Sequence, residues 1–544
     1  MKNNILVQIS KRLPLLIGIS MLWLFIFIPL NSSLDLNDGN LIYTLDDTYI
    51  HMAIAKHMAE DGVFGVTKYE FTPSSSSPLW TLLLSFFFFI FGVNEFTPFL
   101  LNLFFASALI VVLFYFLEKQ DFSLILKILI LLSFVFFIPL PYLVLTGLEH
   151  VLQILLSLLL IFGIINVIDK KPGEKNSFTK LPFFTYIVSF LLVSIRYEGL
   201  FLIGSIALFL IIKRKFNLSF LLLLSGSLPV IIYGIISKLN GWYFIPNAIL
   251  LKGNRVDLFS INSILLFLYN GLRQIIYNIH ILVLLILVVF LLFIVIKKYG
   301  EIFSRYTLAG YIFIVVTVLH MFFARSGLFL SINFQIRYDS YLIVLGLISI
   351  LYMPLSEWFG SVKQEGGGRI ILYILIFLTL LPLSERSLKT MLKTSQASSN
   401  TYSNQYMLGK FVNKYYKGEK LLLNDIGGIN FLTDIKCLDI LGLSSKEPAE
   451  LILKGNFNRS TIEKAGKSFD ANIAIVNEQL IKSYGGIPES WILVGQWRLN
   501  RGVISSLNTI SFYALENGEI EKLSESLKEF SGTLPESLSF RILK

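Results

Sequence analysis

The sequence predicts a mainly α, polytopic membrane bundle that carries a small α/β domain at its C-terminal end. Three observations lead there. Across 544 residues the chain is 55% hydrophobic and holds 48 phenylalanines, and its mean hydropathy is +0.70, far above that of a soluble protein of this size. Apolar runs of helical length recur from near the N-terminus to about residue 383. Beyond that point the runs stop and a mixed polar and apolar pattern takes over. The formal net charge of +10 would suit nucleic acid, but Lys and Arg sit in short clusters between apolar runs, where the bias of positive charge toward the cytosol accounts for them. No nucleic-acid partner is implied. The single cysteine, Cys437, excludes an intramolecular disulfide and a thiol-disulfide motif.

Lys2, Lys11 and Arg12 precede the first run, Leu13 to Leu30. It is long for a cleaved signal and has no small-x-small site before Asn31, so it reads as a retained anchor with a cytosolic N-terminus. Further runs lie near 79–92, 96–117, 122–140, 148–168, 181–195, 199–212, 218–236, 279–296, 307–323, 337–354 and 369–383. Leu79 to Gly92 is short for a span and is expected to form a re-entrant or interfacial helix. With it set aside, about eleven spans remain. The clusters Lys170/Lys171/Lys175, Lys213/Arg214/Lys215, Lys297/Lys298/Arg305 and Lys363/Arg369 then all fall on the cytosolic side. The same parity places Leu45 to Pro78, Thr146 to Glu149, Arg196 to Glu198, Trp242 to Arg255, Ala324 to Gln335 and the C-terminal tail on the exported face. The expected division is a membrane domain over 1–383, a linker over 384–404 that includes the Ser/Asn-rich Ser395 to Asn404, and an exported soluble α/β domain over 405–544. Within the last, Tyr406 to Tyr416 reads as a helix. Lys420 to Leu423, Cys437 to Leu441, Asn472 to Val476, Trp491 to Val494 and Ile510 to Leu515 read as strands.

The polar segment Leu45 to Trp80 is where chemistry is expected. Asp46 and Asp47 precede an amphipathic pattern from Thr48 to about Asp61, and Gly62 is a natural helix stop. Such acids can simply cap the helix. An acid at a membrane surface beside a sugar hydroxyl can instead serve as a general base. His51, four residues after Asp47, shares its helical face, which makes Asp47 and His51 candidate ligands for a divalent cation, although the pair alone is short of a full ligand set. His280 and His320 lie in apolar runs and read as satisfied core or interfacial histidines. Thr146 to Glu149 has the spacing of a capping box, while Glu149 could also line a pocket on the exported face. Arg196-Tyr197-Glu198 follows the next apolar run but one. Arg196 could snorkel, paired to Glu198 or Glu149, or hold an anionic lipid phosphate with its planar fork. Trp242 to Asn247, with Lys252 and Arg255, combines an aromatic belt with basic residues in one exported loop.

Nucleotide sugars are cytosolic and the candidate groups are exported, so an enzyme built this way needs an activated donor already in the membrane. The ordered motifs resemble those of integral-membrane GT-C glycosyltransferases, in the bacterial branch related to mycobacterial arabinofuranosyltransferases. Leu45-Asp46-Asp47-Thr48-Tyr49-Ile50 resembles that family's acidic first exported loop, and Ser76-Ser77-Pro78-Leu79-Trp80-Thr81 resembles its Tyr-Thr-(Ser/Asn)-Pro-Leu-Trp stretch. Thr146 to Glu149 is similar to its Thr/Ser-Gly-Leu-Glu segment, Arg196 to Gly199 to its Arg-Pro-Glu-Gly segment, and Pro246-Asn247 to its Leu-Pro-Asn loop. Asp425-Ile426-Gly427-Gly428 and Leu438-Asp439-Ile440-Leu441-Gly442-Leu443 are similar to its exported C-terminal region. Tyr197 in place of Pro, and Ser74 to Ser77 before Pro78, are departures.

The resemblance implies a multi-pass protein of the bacterial inner (plasma) membrane, acting in cell-envelope polysaccharide biosynthesis. Its donor would be a polyprenyl-phosphate sugar and its acceptor a glycan, lipid or protein hydroxyl, with inversion at the anomeric carbon. A first-loop Asp would be the base. Asp46 and Asp47 both match and the choice stays open, with a preference for Asp46, which is expected to precede the helix and turn to the cavity. Trp80, Glu149, Arg196, Glu198, Asn247, Lys252 and Arg255 are the candidate substrate-binding residues. The competing readings are a transporter or flippase of lipid-linked sugars and a membrane-anchored glycan-binding protein.

Overall fold

The computed structural model describes residues 2–120, 122–168, 180–252, 257, 259–300, 304–324, 336–353, 366–482, 484–500, 502–503 and 508–544. The chain is a mainly α, polytopic membrane protein with a small sheet-containing C-terminal region. Among the described residues six helices are long and apolar enough to cross a membrane: Lys11–Leu36, Thr97–Glu118, Phe216–Leu239, Ile279–Tyr299, Tyr306–Phe323 and Ile370–Tyr415. Pro78–Phe91, Leu124–Phe137, His150–Ile165, Phe183–Ile195 and Gly199–Ile212 are apolar but shorter. Several runs of the sequence thus yield helices below full spanning length, because polar or proline positions cut them. Pro139 separates Leu124–Phe137 from the short Leu140–Leu145, which carries Pro141 in its first turn. Large apolar side chains such as Phe86, Phe89 and Phe91 on Pro78–Phe91, or Phe220 and Leu224 on Phe216–Leu239, remain exposed on the bundle's outside, as lipid-facing positions do.

Ser395 to Asn404 is no linker. The helix Gly366–Thr401 runs through it, turns as a π-helix over Tyr402–Tyr406 and continues as Met407–Tyr415. Its small polar residues are buried and partnered across the molecule: Asn37 Nδ2 donates to Ser398 Oγ (2.8 Å), Ser398 Oγ donates to the Ile42 carbonyl (2.7 Å), and Asn400 Oδ1 accepts from Val503 N (2.7 Å). A helix whose polar face is satisfied this way does not behave as a tether.

The six strands are β1 (Lys420–Leu423), β2 (Lys436–Asp439), β3 (Ile473–Val476), β4 (Ile492–Leu499), β5 (Thr509–Ala514) and β6 (Leu538–Ile542). Their order is β2-β1-β3-β5-β4-β6. β1 runs parallel to β2 and β3, while β5, β4 and β6 add antiparallel strands. β1 and β3 read as unbroken apolar segments because both faces are covered. One face holds Leu422, Ala474, Val476 and Tyr513 in a core of its own. The other holds Leu421, Leu423, Ile473 and Ile475, and joins the core that continues through the helical bundle. Phe411 of Met407–Tyr415 sits there with Trp497 and Phe512, ring centroids 5.7 and 5.5 Å away. Met407–Tyr415 and Glu519–Ser531 lie over this face, Phe411 and Phe530 meeting at 5.5 Å, and the apolar core continues from there into the bundle.

Candidate active site

The segment between the first two apolar helices folds as the helix Asp46–Glu60 followed by an irregular stretch up to Pro78. Leu45 occupies the N-cap in an extended conformation and gives no side-chain cap bond, so neither acid caps its own helix. They point to different places. Asp46 is turned to the C-terminal region, where Oδ2 accepts from Gly427 N (3.1 Å) and Oδ1 from Gly428 N (2.8 Å). Asp47 lines a cavity of about 340 Å³, and Arg337 Nη2 donates to its Oδ2 at 2.6 Å. The expected preference for Asp46 as the group facing the cavity is thereby reversed, because two backbone amides hold its carboxylate elsewhere.

Two guanidinium groups define the polar side of this cavity. Arg196 Nη1 donates to Glu149 Oε1 (2.9 Å) and its Nε to Glu198 Oε2 (3.1 Å), with a further contact from Nη2 to Glu198 Oε1. Both pairings envisaged for Arg196 are present together. Thr146 and Glu149 form no capping box: Thr146 Oγ1 accepts from Leu148 N, and Glu149 goes to Arg196. Arg337 spends Nη2 on Asp47 and on Tyr338 Oη (2.8 Å), while its buried Nε and Nη1 have no hydrogen-bond partner among the described residues. The Tyr338 ring lies between the two cations, its centroid 4.7 Å from the Arg337 guanidinium carbon and 5.4 Å from that of Arg196. Arg337 opens the helix Ile336–Tyr352, whose start is pinned by Asp339, paired to Arg386 and to His280 Nε2 (2.6 Å). Leu200, Phe201, Ile249 and Phe323 supply an apolar wall.

His51 also lines the cavity, its Nδ1 3.0 Å from Thr81 Oγ1 and 3.2 Å from Ser75 Oγ, and its Nε2 3.8 Å from Glu149 Oε2. Among the described residues no group of three or more His, Cys, Asp or Glu side chains is gathered to hold a metal ion. His280 and His320 are satisfied as expected, His320 by the Tyr341 hydroxyl at 3.0 Å, though His320 also borders the cavity.

Two expected substrate contacts lie elsewhere. Trp80 is fully buried in the core and does not line the cavity, because the third residue of Pro78–Phe91 faces inward. Asn247 is buried and donates to the Gly442 carbonyl at 2.9 Å, tying its loop to the C-terminal region. The described backbone of Asn247–Lys252 ends at Lys252. The Lys252 side chain, Arg255 and residues 325–335 lie outside the described residues. Arg337, Tyr338 and His150 were not singled out in the sequence. Their signal was a charged pair, Arg337 and Asp339, at the head of an apolar run, where charge is costly unless it works.

The C-terminal region closes the site. Leu443 lines the cavity, held by Ser74 Oγ donating to its carbonyl at 2.8 Å. Its loop is folded around buried Asp439, whose carboxylate accepts from Leu441 N (2.9 Å) and Ser444 N (2.8 Å). Burial pushes the Asp439 carboxyl up to about 6. Gly442 turns with φ +77°, and a Cβ there would come within 2.7 Å of the Ala449 backbone, so glycine is required twice over. Asp46 and Asp425 are also both raised above the ordinary carboxylate range. Burial is the first cause for each, with Asp425 a further cause at Asp46 and Asp47 at Asp425.

The crystal structure of ArnT from Cupriavidus metallidurans bound to undecaprenyl phosphate superposes with a TM-score of 0.51 at 11% identity, over 92% of this chain and 98% of that one. The chain shares the fold of that structure. Residues 396–513 match a family model described as a domain of unknown function, DUF8728. That match begins in the buried Ser/Asn-rich stretch and ends in β5. None of the curated proteins compared with the chain matches it.

Proposed function

We propose that the chain is a glycosyltransferase of the GT-C type that takes a sugar from a polyprenyl-phosphate donor and passes it, with inversion, to a hydroxyl of a cell-envelope acceptor. The reaction takes place on the exported face of a bacterial plasma membrane, and the branch is that of the mycobacterial arabinofuranosyltransferases. One observation carries the reading: a carboxylate, Asp47, and a cation, Arg337, with two donors unspent among the described residues, meet at one cavity that also has an apolar wall. The shared fold with a protein seen bound to undecaprenyl phosphate supports the donor class.

In this reading the donor phosphate takes the Nε and Nη1 donors of Arg337, and the lipid lies along Leu200, Phe201 and Phe323. As the guanidinium turns to the phosphate, Asp47 is released to accept the proton of the acceptor hydroxyl. That oxygen forms its bond to the anomeric carbon on the face opposite the phosphate, the bond from the anomeric carbon to the phosphate oxygen breaks, and polyprenyl phosphate leaves with the electron pair. Arg196, neutralised by Glu149 and Glu198, braces the acidic wall that meets sugar hydroxyls.

The test is reconstituted protein given a panel of lipid-linked sugars, read by released polyprenyl phosphate and by the anomeric configuration of the product. Asp47→Asn should lower turnover on the order of 10²-fold or more, the usual contribution of a general base. Full turnover in that variant, or transfer with retention, would overturn the mechanism. The orientation has its own test. A cysteine at exposed Tyr69 should react with an impermeant thiol reagent on intact cells and one at Lys213 should not; the opposite pattern places the site in the cytosol.

A further inference from the structure

We infer that Asp46 is a positioning residue: its carboxylate fastens the Gly427–Gly428 turn of the C-terminal region onto the first polar helix, and so fixes both the wall that this region gives the cavity and the direction of Asp47. Its kinetic readout rests on the function proposed above; the contact itself does not.

The helix Gly427–Leu432 begins after Ile426, whose apolar side chain offers no cap. Its first amides have no acceptor within the helix, and Asp46 supplies both oxygens from another element, at 3.1 and 2.8 Å. At the other end of the same helix, Lys56 Nζ donates to the Phe431 carbonyl (3.3 Å) and pairs with Asp434 (3.2 Å). Asp46 and Lys56 belong to one helix, so the two helices lie side by side with an acid at the partner's N-terminus and a cation at its C-terminus, the arrangement its dipole favours. Between them the Tyr49 and Phe431 rings meet at 5.9 Å.

The fit is close. A Cβ on Gly427 would lie 2.4 Å from the Asp46 carbonyl oxygen and 2.5 Å from its Oδ1, and one on Gly428 would lie 2.9 Å from the Gln405 carbonyl. Gly427 is therefore needed for the approach of Asp46, and Gly428 for that of the Gln405 backbone. This contact, Ser74 on Leu443 and Asn247 on Gly442 make three fixings that hold one loop system against the cavity. Asp46 itself is not part of the cavity's lining. It is one residue before Asp47, so any slackening at Asp46 is passed directly to the backbone that aims Asp47 at Arg337.

The experiment compares Asp46→Ala, Asp46→Asn, Gly427→Ala and the double variant Asp46→Ala/Gly427→Ala in reconstituted full-length protein, by amide hydrogen exchange and by steady-state kinetics. Asp46→Ala and Gly427→Ala should each speed exchange over residues 427–432 about tenfold or more, the scale of losing a hydrogen bond to a charged acceptor, with exchange in the apolar helices unchanged. Each should lower kcat about tenfold while the shape of the pH–rate profile is kept, and the double variant should be no worse than the poorer single one, since both break the same contact. Asp46→Asn, which still offers one oxygen, should fall between wild type and Asp46→Ala, and it keeps the test open should the alanine variants fail to accumulate. The inference is overturned if Gly427→Ala leaves exchange unchanged, or if Asp46→Asn abolishes turnover with exchange unchanged, since Asp46 would then act on the substrate itself. A wild-type protein that releases no polyprenyl phosphate defeats the proposed function alone; the exchange data still decide the contact.

Discussion

The two arginines of the cavity carry the same charge in opposite surroundings. Arg196 is boxed in by two carboxylates that take its Nε, Nη1 and Nη2, so the cluster of Glu149, Arg196 and Glu198 is net acidic and self-contained. Arg337 shares one nitrogen with Asp47 and Tyr338 and keeps two buried nitrogens without partners among the described residues. An unsatisfied buried donor is costly, and a cavity that holds one is prepared for an anionic ligand. On the function proposed above, the difference favours a structural task for Arg196 and the phosphate contact for Arg337. The sequence left Arg196 open between pairing with Glu198 or Glu149 and holding a phosphate, and both pairings are present.

The comparison breaks most visibly in stability. Arg196→Ala leaves Glu149, 1% exposed, and Glu198, 19% exposed, side by side without their cation. Breaking a buried pair in this way costs about 3–5 kcal/mol, so this variant should melt far below wild type, and Arg196→Lys, which keeps the charge and loses the fork, should recover part of the loss. Arg337→Ala should behave differently, because its partner Asp47 is 34% exposed and water can take over. That variant should fold nearly as well as wild type, yet bind the lipid-linked donor on the order of 10²-fold more weakly, the scale of losing a charge-assisted contact to an anion. Thermal melts in detergent and the donor KM together decide it. If Arg196→Ala is stable and loses only donor affinity, the two roles are exchanged.

Where the sequence was legible, it was so because the residues sit where periodicity changes. Asp46, Asp47, Glu149, Arg196 and Glu198 stand at helix boundaries between apolar runs, and boundaries survive in a pattern read one residue at a time. Five of the six strands and the helix after Tyr406 were found for the same reason. β6 was missed because Leu538–Ile542 is a short edge strand with alternating exposure. Trp80 and Asn247 were placed in the cavity because a sequence shows which residues are near a site but not which way they face. Ser395 to Asn404 was taken for a linker on its composition. Its hydroxyls and amides have partners more than a hundred residues away in sequence, and no local pattern reports such pairings. Asp46 and Asp47 look interchangeable in the sequence; only the glycine pair at Gly427 separates them.

The smallest expected effect sharpens that last separation. Facing Asp46 are Asp425 from the C-terminal region and Asp47 from its own helix, the latter paired to Arg337, while the Gly427 and Gly428 amides favour its charge. Asp46 and Asp425 are both raised by burial and by neighbouring acids. In the seated arrangement the pair therefore holds more protons than it would in water. By linkage, a group with a raised value strengthens the seated state below its ordinary range, and the contribution fades as pH rises from about 4 toward neutrality. Exchange over residues 427–432, corrected for its intrinsic pH dependence, should accordingly quicken toward neutral pH, by no more than about tenfold for one unit of net shift. Asp425→Asn removes the charge facing Asp46 and leaves both amide bonds in place, so it should flatten this dependence and slow exchange near neutrality. Asp47→Asn should flatten it less, because Arg337 already balances Asp47. Identical profiles for wild type and Asp425→Asn would mean that the two buried acids do not share a proton, and that Asp46 holds the Gly427–Gly428 turn as a lone carboxylate at every pH.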